Sequence, residues 1–311
     1  MRARARIAVS RDARGGERYD VLRGDGPIAP RVTADGVHLV GQAAGPLGDD
    51  DLELDCAVGP GAALRLRSVA ASLPLPGPDG GASRFAIGAT VAAGGGLDLA
   101  LEPTIAAAGC DHRAETRVEL AEGARLRLRE EIVLGRHGER PGRYTGLLHV
   151  TYAGRPLLRH ALALADDAVT TSPAVPGDAR TVGMLLLAGP DVPAPDRRGH
   201  DGAWPGPPAP DRRGHDGAGP DLPGPDGPGS GGPGSDGPGS GGPGPDGRRP
   251  DLPGGAGPDA GEGVAVTPLA GPAVLVIAVA PDAATLRRRL RCAEASLSPA
   301  ASPATARPAP G

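Results

Sequence analysis

The residues of this chain that could do chemistry are carboxylates near expected strand ends, and one short run that brings a thiol, a carboxylate and an imidazole together. Asp49, Asp50, Asp51 and Glu53 form the densest acidic group. They offer hard oxygen donors for a cation, or a solvated strand edge. Glu102 and the pair Glu130-Glu131 add further carboxylates. Across 125–133, Leu126 and Leu128 alternate with Arg125, Arg127 and Arg129, so a period of two assigns Glu131 to the arginine face and Glu130 to the leucine face. A carboxylate on an apolar face is costly unless it is paired or lines a wet interior, which singles out Glu130. In Gly109-Cys110-Asp111-His112, Cys110 and His112 are weaker candidates that could catch a soft or borderline metal ion in passing.

Several chemistries have no support. No GxxxxGK[ST] loop occurs, no GxGxxG opens a helix, and there is no GxSxG elbow. Glu102 and Glu130 could serve as acid and base in a β-helix carbohydrate-active enzyme. Such an enzyme leans on aromatic platforms, and the chain has one Phe, one Trp and three Tyr. A wall-binding module would explain a Pro/Gly stalk, but the basic start, residues 1–16, lacks a signal-peptide core. Three cysteines without CxxC spacing make neither a disulfide framework nor a zinc site. A net charge of −4 argues against general nucleic-acid affinity, and the longest apolar run, 273–280, is too short to span a bilayer. The expectation is a cytoplasmic protein with neither a nucleic-acid nor a membrane partner.

The elements that must position these residues read as all-β. Segments 3–9 and 17–22 are short strands, and Asp35-Gly36 turns a hairpin. Leu52, Leu54, Cys56 and Val58 alternate with polar or small residues as one side of a half-buried strand. Segments 116–120 and 125–133 flank the turn 121–124 and read as one ribbon. The pattern [V/L]-x-x-G-x-x-L-x-L recurs at Val58-Gly61-Leu64-Leu66, Val91-Gly94-Leu97-Leu99 and Leu120-Gly123-Leu126-Leu128. The glycines are 33 and then 29 residues apart. Recurrence of one strand–turn–strand unit near this period predicts layers that bury their apolar faces against each other. A further hairpin covers 149–160, and 181–189 and 271–280 read as buried strands. Segment 282–292 predicts a short helix whose Leu286 and Leu290 cap the open end of the stack. Gly and Pro make up more than half of 190–263, where APDRRGHDGA occurs twice, and that composition predicts a disordered insert. A single all-β domain is expected over 1–189 and 264–292, with a disordered tail at 293–311.

Three strings together carry a family resemblance: AAGPLGDDDLELDCAVGPGAALRLRS, EPTIAAAGCDHRAETRVELAEGARLRLREEIVLGRHGE and GPAVLVIAVAPDAATLRRRL. The chain resembles the UreD (UreH) family of urease accessory proteins, in its actinobacterial form, over about 24–188 and 264–291. Asp50 matches the family's acidic position after Gly48, with Asp49 in place of a second glycine. Glu130, ahead of Gly135-Arg136, matches its conserved-motif glutamate, while Leu101 stands where the family often has proline. The resemblance implies a β-helix-like, two-layered fold with a few short helices and no reaction of its own. It implies a scaffold joining urease apoprotein to UreF and to the GTPase UreG. It also implies an internal passage for Ni²⁺, held only transiently at Asp50 and Glu130, with no permanent cofactor.

Overall fold

The computed structural model describes residues 1–43, 45–164, 179–192 and 263–297. Two stacked sheets form the body. The first runs β13 (Arg155–Leu164), β12 (Arg143–Tyr152), β10 (Asp111–Leu120), β7 (Ser83–Val91), β5 (Asp51–Val58), β1 (Arg2–Arg11) and β2 (Glu17–Arg23). The second runs β15 (Val264–Pro268), β16 (Ala273–Ala280), β14 (Thr181–Ala188), β11 (Arg125–Leu134), β8 (Gly96–Ala100), β6 (Ala63–Ser68), β4 (Gly36–Gly41) and β3 (Ile28–Thr33), with β9 (Thr104–Ala106) beside β11. The architecture is all-β and β-solenoid-like, as the repeat predicts.

The repeat positions lie beside one another. Val58 pairs with Val91 and Val91 with Leu120 in the first sheet. Leu64, Leu97 and Leu126 align in the second, as do Leu66, Leu99 and Leu128. All of them face the space between the sheets and are nearly inaccessible. Burying one such side chain contributes about 1.5–3 kcal/mol, so each coil of the stack carries its own share of the core. Gly61, Gly94 and Gly123 turn the chain with φ of 64°, 68° and 76°, a region glycine enters without a Cβ clash.

The unit differs from a ribbon in one respect. β10 and β11 are not partners: β10 pairs in parallel with β7 and β12, whereas β11 pairs with β8 in parallel and with β14 in antiparallel. The four-residue turn therefore carries the chain from one sheet to the other. Period-two alternation identifies a strand and its inner face but is blind to which strand lies alongside. The hairpins β3–β4 and β12–β13 are antiparallel pairs.

One helix, α1 (Ala283–Leu297), is present among the described residues. The Asp282 carboxylate accepts from the Thr285 amide at 2.8 Å and from its hydroxyl at 2.9 Å, an N-cap. Leu286 and Leu290 are buried, as expected, but against Leu185, Val276, Ala278 and Ala280. They cover the outer face of the second sheet and not the end of the stack. The reason is that β14 and β16 are apolar on both faces, so the outward side needs cover too. Gly183 allows the close approach, since a Cβ there would meet Leu286 and Leu290 carbons at 2.9–3.0 Å. The helix continues through Leu297, past the expected stop at 292. Residues 193–262 of the expected insert and 298–311 of the expected tail lie outside the described residues.

Candidate functional site

Glu130 is the least ordinary residue of the interior. β11 points it inward, between Leu128 and Ile132 in the alternation and beside Met184 of β14. Its Oε1 accepts a 2.7 Å hydrogen bond from the Thr116 hydroxyl of β10, so the contact crosses from one sheet to the other. Burial favours the neutral carboxyl and raises its pKa, and the Thr116 bond offsets this only in part.

Glu130 keeps some accessible surface, and that surface is cavity wall. A cavity of about 540 Å³ is bounded by Glu130, Tyr144, Thr116, Leu99 and Leu101, with Val69 and Ala70 at its outer side. A second, of about 170 Å³, is bounded by Glu130, Tyr144, His160, Gly146 and Met184. Glu130 and Tyr144 belong to both walls. Gly146 gives the Tyr144 ring its place, because a Cβ there would come within 3.1 Å of the phenol. Burial, with the Glu130 charge nearby, pushes the Tyr144 pKa up, so the phenol stays protonated. Burial lowers the His160 pKa, which keeps its imidazole neutral.

The outward-facing alternation of β11 is far from plain solvent. Glu131 has a side chain that is 0% exposed and lies 2.9 Å from Arg129 Nε and 2.9 Å from Arg287 Nε of α1. Arg287 also reaches Glu102 at 2.5 Å. Arg127 binds Glu294 of the helix at 2.5 Å and Asp98 at 3.1 Å. The parallel ladder on this side of β11 stops at Arg129–Ala100 and resumes at Ile132–Thr104. Glu102 sits in that break, and Arg287 spans it to Glu131.

Asp50 lies elsewhere, outside the walls of both cavities. It is buried, accepts the Leu47 amide at 2.8 Å, and meets the terminal ammonium of Met1 at 2.6 Å. Burial opposes its charge, but these two donors outweigh that and hold its pKa below the ordinary value. Cys110 and His112 are both buried on neighbouring positions of the first sheet's end. His112 Nδ1 is 2.9 Å from Ser83 Oγ, and its ring is 6.1 Å from Tyr144. Burial drives the Cys110 thiol up to about 11 and the His112 imidazole down to about 4. Among the described residues no group of three or more His, Cys, Asp or Glu is arranged to hold a metal ion. The structure thus gathers Glu130 with Thr116, Tyr144 and His160, sets His112 and Cys110 on the far side of the Tyr144 ring without reaching Glu130, and leaves Asp50 apart.

The family model described as UreD urease accessory protein matches residues 1–309. The chain belongs to this family. Similar proteins include the urease accessory protein UreD of Frankia casuarinae, 39% identical over 93% of this chain and 88% of that protein. That of Frankia alni is 40% identical over 93% and 91%. That of Streptomyces avermitilis is 36% identical over 96% and 98%. Its role therefore lies in urease maturation, with a UreD fold that carries Glu130 at the centre of the stack. No helix among the described residues is long and apolar enough to cross a membrane.

Sequence reasoning missed Thr116, Tyr144 and His160 as neighbours of Glu130. A signal existed for one of them, since His160 alternates with Leu158 and Leu162 and so shares the apolar face of β13. Nothing local says that these strands face β11.

Proposed function

We propose that this UreD protein acts in the cytoplasm as a non-catalytic scaffold. In this reading it joins UreF and UreG to urease apoprotein and lets Ni²⁺ reach the nascent urease site through its interior. The observation that carries the reading is Glu130, a carboxylate deep between two apolar sheets whose free surface forms the wall shared by two cavities. A carboxylate in a narrow interior attracts a cation, and a single oxygen ligand releases it easily. Because Glu130 holds its proton more tightly than an ordinary glutamate, an arriving cation must displace that proton, and passage favours higher pH. Asp50 would act apart from both cavities, where two donors already hold its charge.

Nickel per urease active site, measured in cells that co-express each variant with the urease genes, tests the reading. Glu130→Gln keeps size and hydrogen bonding but removes the charge, and should lower nickel loading several-fold while UreF is still captured. Asp50→Ala should lower it less. Full nickel loading with Glu130→Gln would refute the passage.

A further inference from the structure

A carboxylate alone does not tell nickel from magnesium. Both are divalent, and oxygen ligands suit magnesium well. If Glu130 were the only polar group of the interior, a cell's far more abundant magnesium would compete for it. The smaller cavity supplies a different donor. His160 and Glu130 belong to its wall together, from β13 of one sheet and β11 of the other. The strand registers set Thr116, Leu148 and His160 side by side across β10, β12 and β13, so His160 lies two strands along from the hydroxyl that Glu130 meets. The Tyr144 phenol is the one further polar side chain of the lining, and the others, Leu148, Leu162 and Met184 among them, are apolar.

We propose that His160 and Glu130 form a two-ligand resting station for a borderline divalent cation, and that His160 is the residue that selects nickel over magnesium. This rests on the passage reading and names its selectivity. The chemistry is specific. Imidazole nitrogen binds Ni²⁺ well and Mg²⁺ poorly, and the neutral form that His160 holds is the one with a free lone pair. Neither ring nitrogen has a hydrogen-bond partner among the described residues that would use that lone pair, and the Thr116 bond leaves Glu130 Oε2 available. Two donors are too few to retain nickel, which suits a station that must empty. The ion exchanges one proton from Glu130 for the carboxylate–metal contact, and the proton leaves to water.

The test uses the full-length protein labelled with ¹⁵N-histidine, its His160 signal identified by its disappearance in His160→Gln. Titration with NiCl₂ should broaden His160 before His38 and His149, which alternate away from the interior, and millimolar MgCl₂ should not protect it. In Glu130→Gln the nickel needed for half-maximal broadening of His160 should rise several-fold, with His38 and His149 unchanged. A His160 signal that broadens no earlier than His38 would overturn the proposal. So would broadening indifferent to Glu130→Gln, or protection by magnesium at equal concentration. Each of these outcomes concerns the station and its selectivity. Failure of the passage itself is read separately, from nickel per urease site in the Glu130→Gln co-expression.

Discussion

Replacing Glu131 with alanine should destabilise the protein substantially, although it belongs to the face that alternation calls exposed. Its carboxylate is 0% exposed and touches two arginines, Arg129 and Arg287, whose side chains are 12% and 28% exposed. Arg287 would keep Glu102, so little of the loss arises there. Arg129 is the sensitive partner. Its Nε stands 2.9 Å from Glu131 Oε1 without the alignment of a hydrogen bond, so the attraction is coulombic. Burial already lowers the Arg129 pKa, Glu131 counters this, and Arg287 and Arg127 push it down further. Without Glu131, Arg287 and Arg127 are left to repel the buried Arg129 guanidinium. Removing one partner of a buried pair costs about 3–5 kcal/mol, and the partial exposure of the arginines favours the low end, about 3 kcal/mol. A domain of this size loses about 2–4 °C of Tm per kcal/mol, so the variant should melt about 6–12 °C lower. Circular dichroism melts, with urea unfolding as a second measure, would read this. The double variant Arg129→Leu/Glu131→Leu should recover most of the loss, because no charge is then orphaned. A single variant that melts within about 2 °C of wild type would show that the pair contributes nothing and that α1 is held by its leucines alone.

Leu290→Asp puts a charge 1% exposed among Leu185, Val276 and Ala280, which should cost about 3 kcal/mol or more or release α1 from the sheet. Trypsin cleavage at Arg287–Arg291 would then quicken many-fold, and unchanged cleavage and melting would refute the docking. His112, neutral because burial lowers its pKa to about 4, adds acid sensitivity. The unfolded chain takes up that proton near pH 6.5, so stability falls as pH drops from about 6.5 to about 4, by up to about 1.4 kcal/mol per pH unit. His112→Asn should flatten that slope in urea midpoints measured across the same range, and an unaltered slope would place the acid sensitivity elsewhere.

What the sequence determined by itself is the repeating unit. Val58, Val91 and Leu120, and the leucine pairs after each glycine, are read from one chain and lie in register in the sheets, because a coil that buries its inner face can stack only where the same positions align. Glu130 also stood out, since a charge on a leucine face breaks a local rule. Tertiary structure alone decided three things. It set β10 and β11 in different sheets, because alternation fixes a face and not a neighbour. It laid α1 over the outer face of β14 and β16, so that Glu131, on the nominally wet side, became as buried as Glu130 is deep. And it brought Thr116, Tyr144 and His160 to Glu130 from strands 14 to 30 residues away in sequence, through the stacking of one sheet on the other, which leaves no trace in any local window.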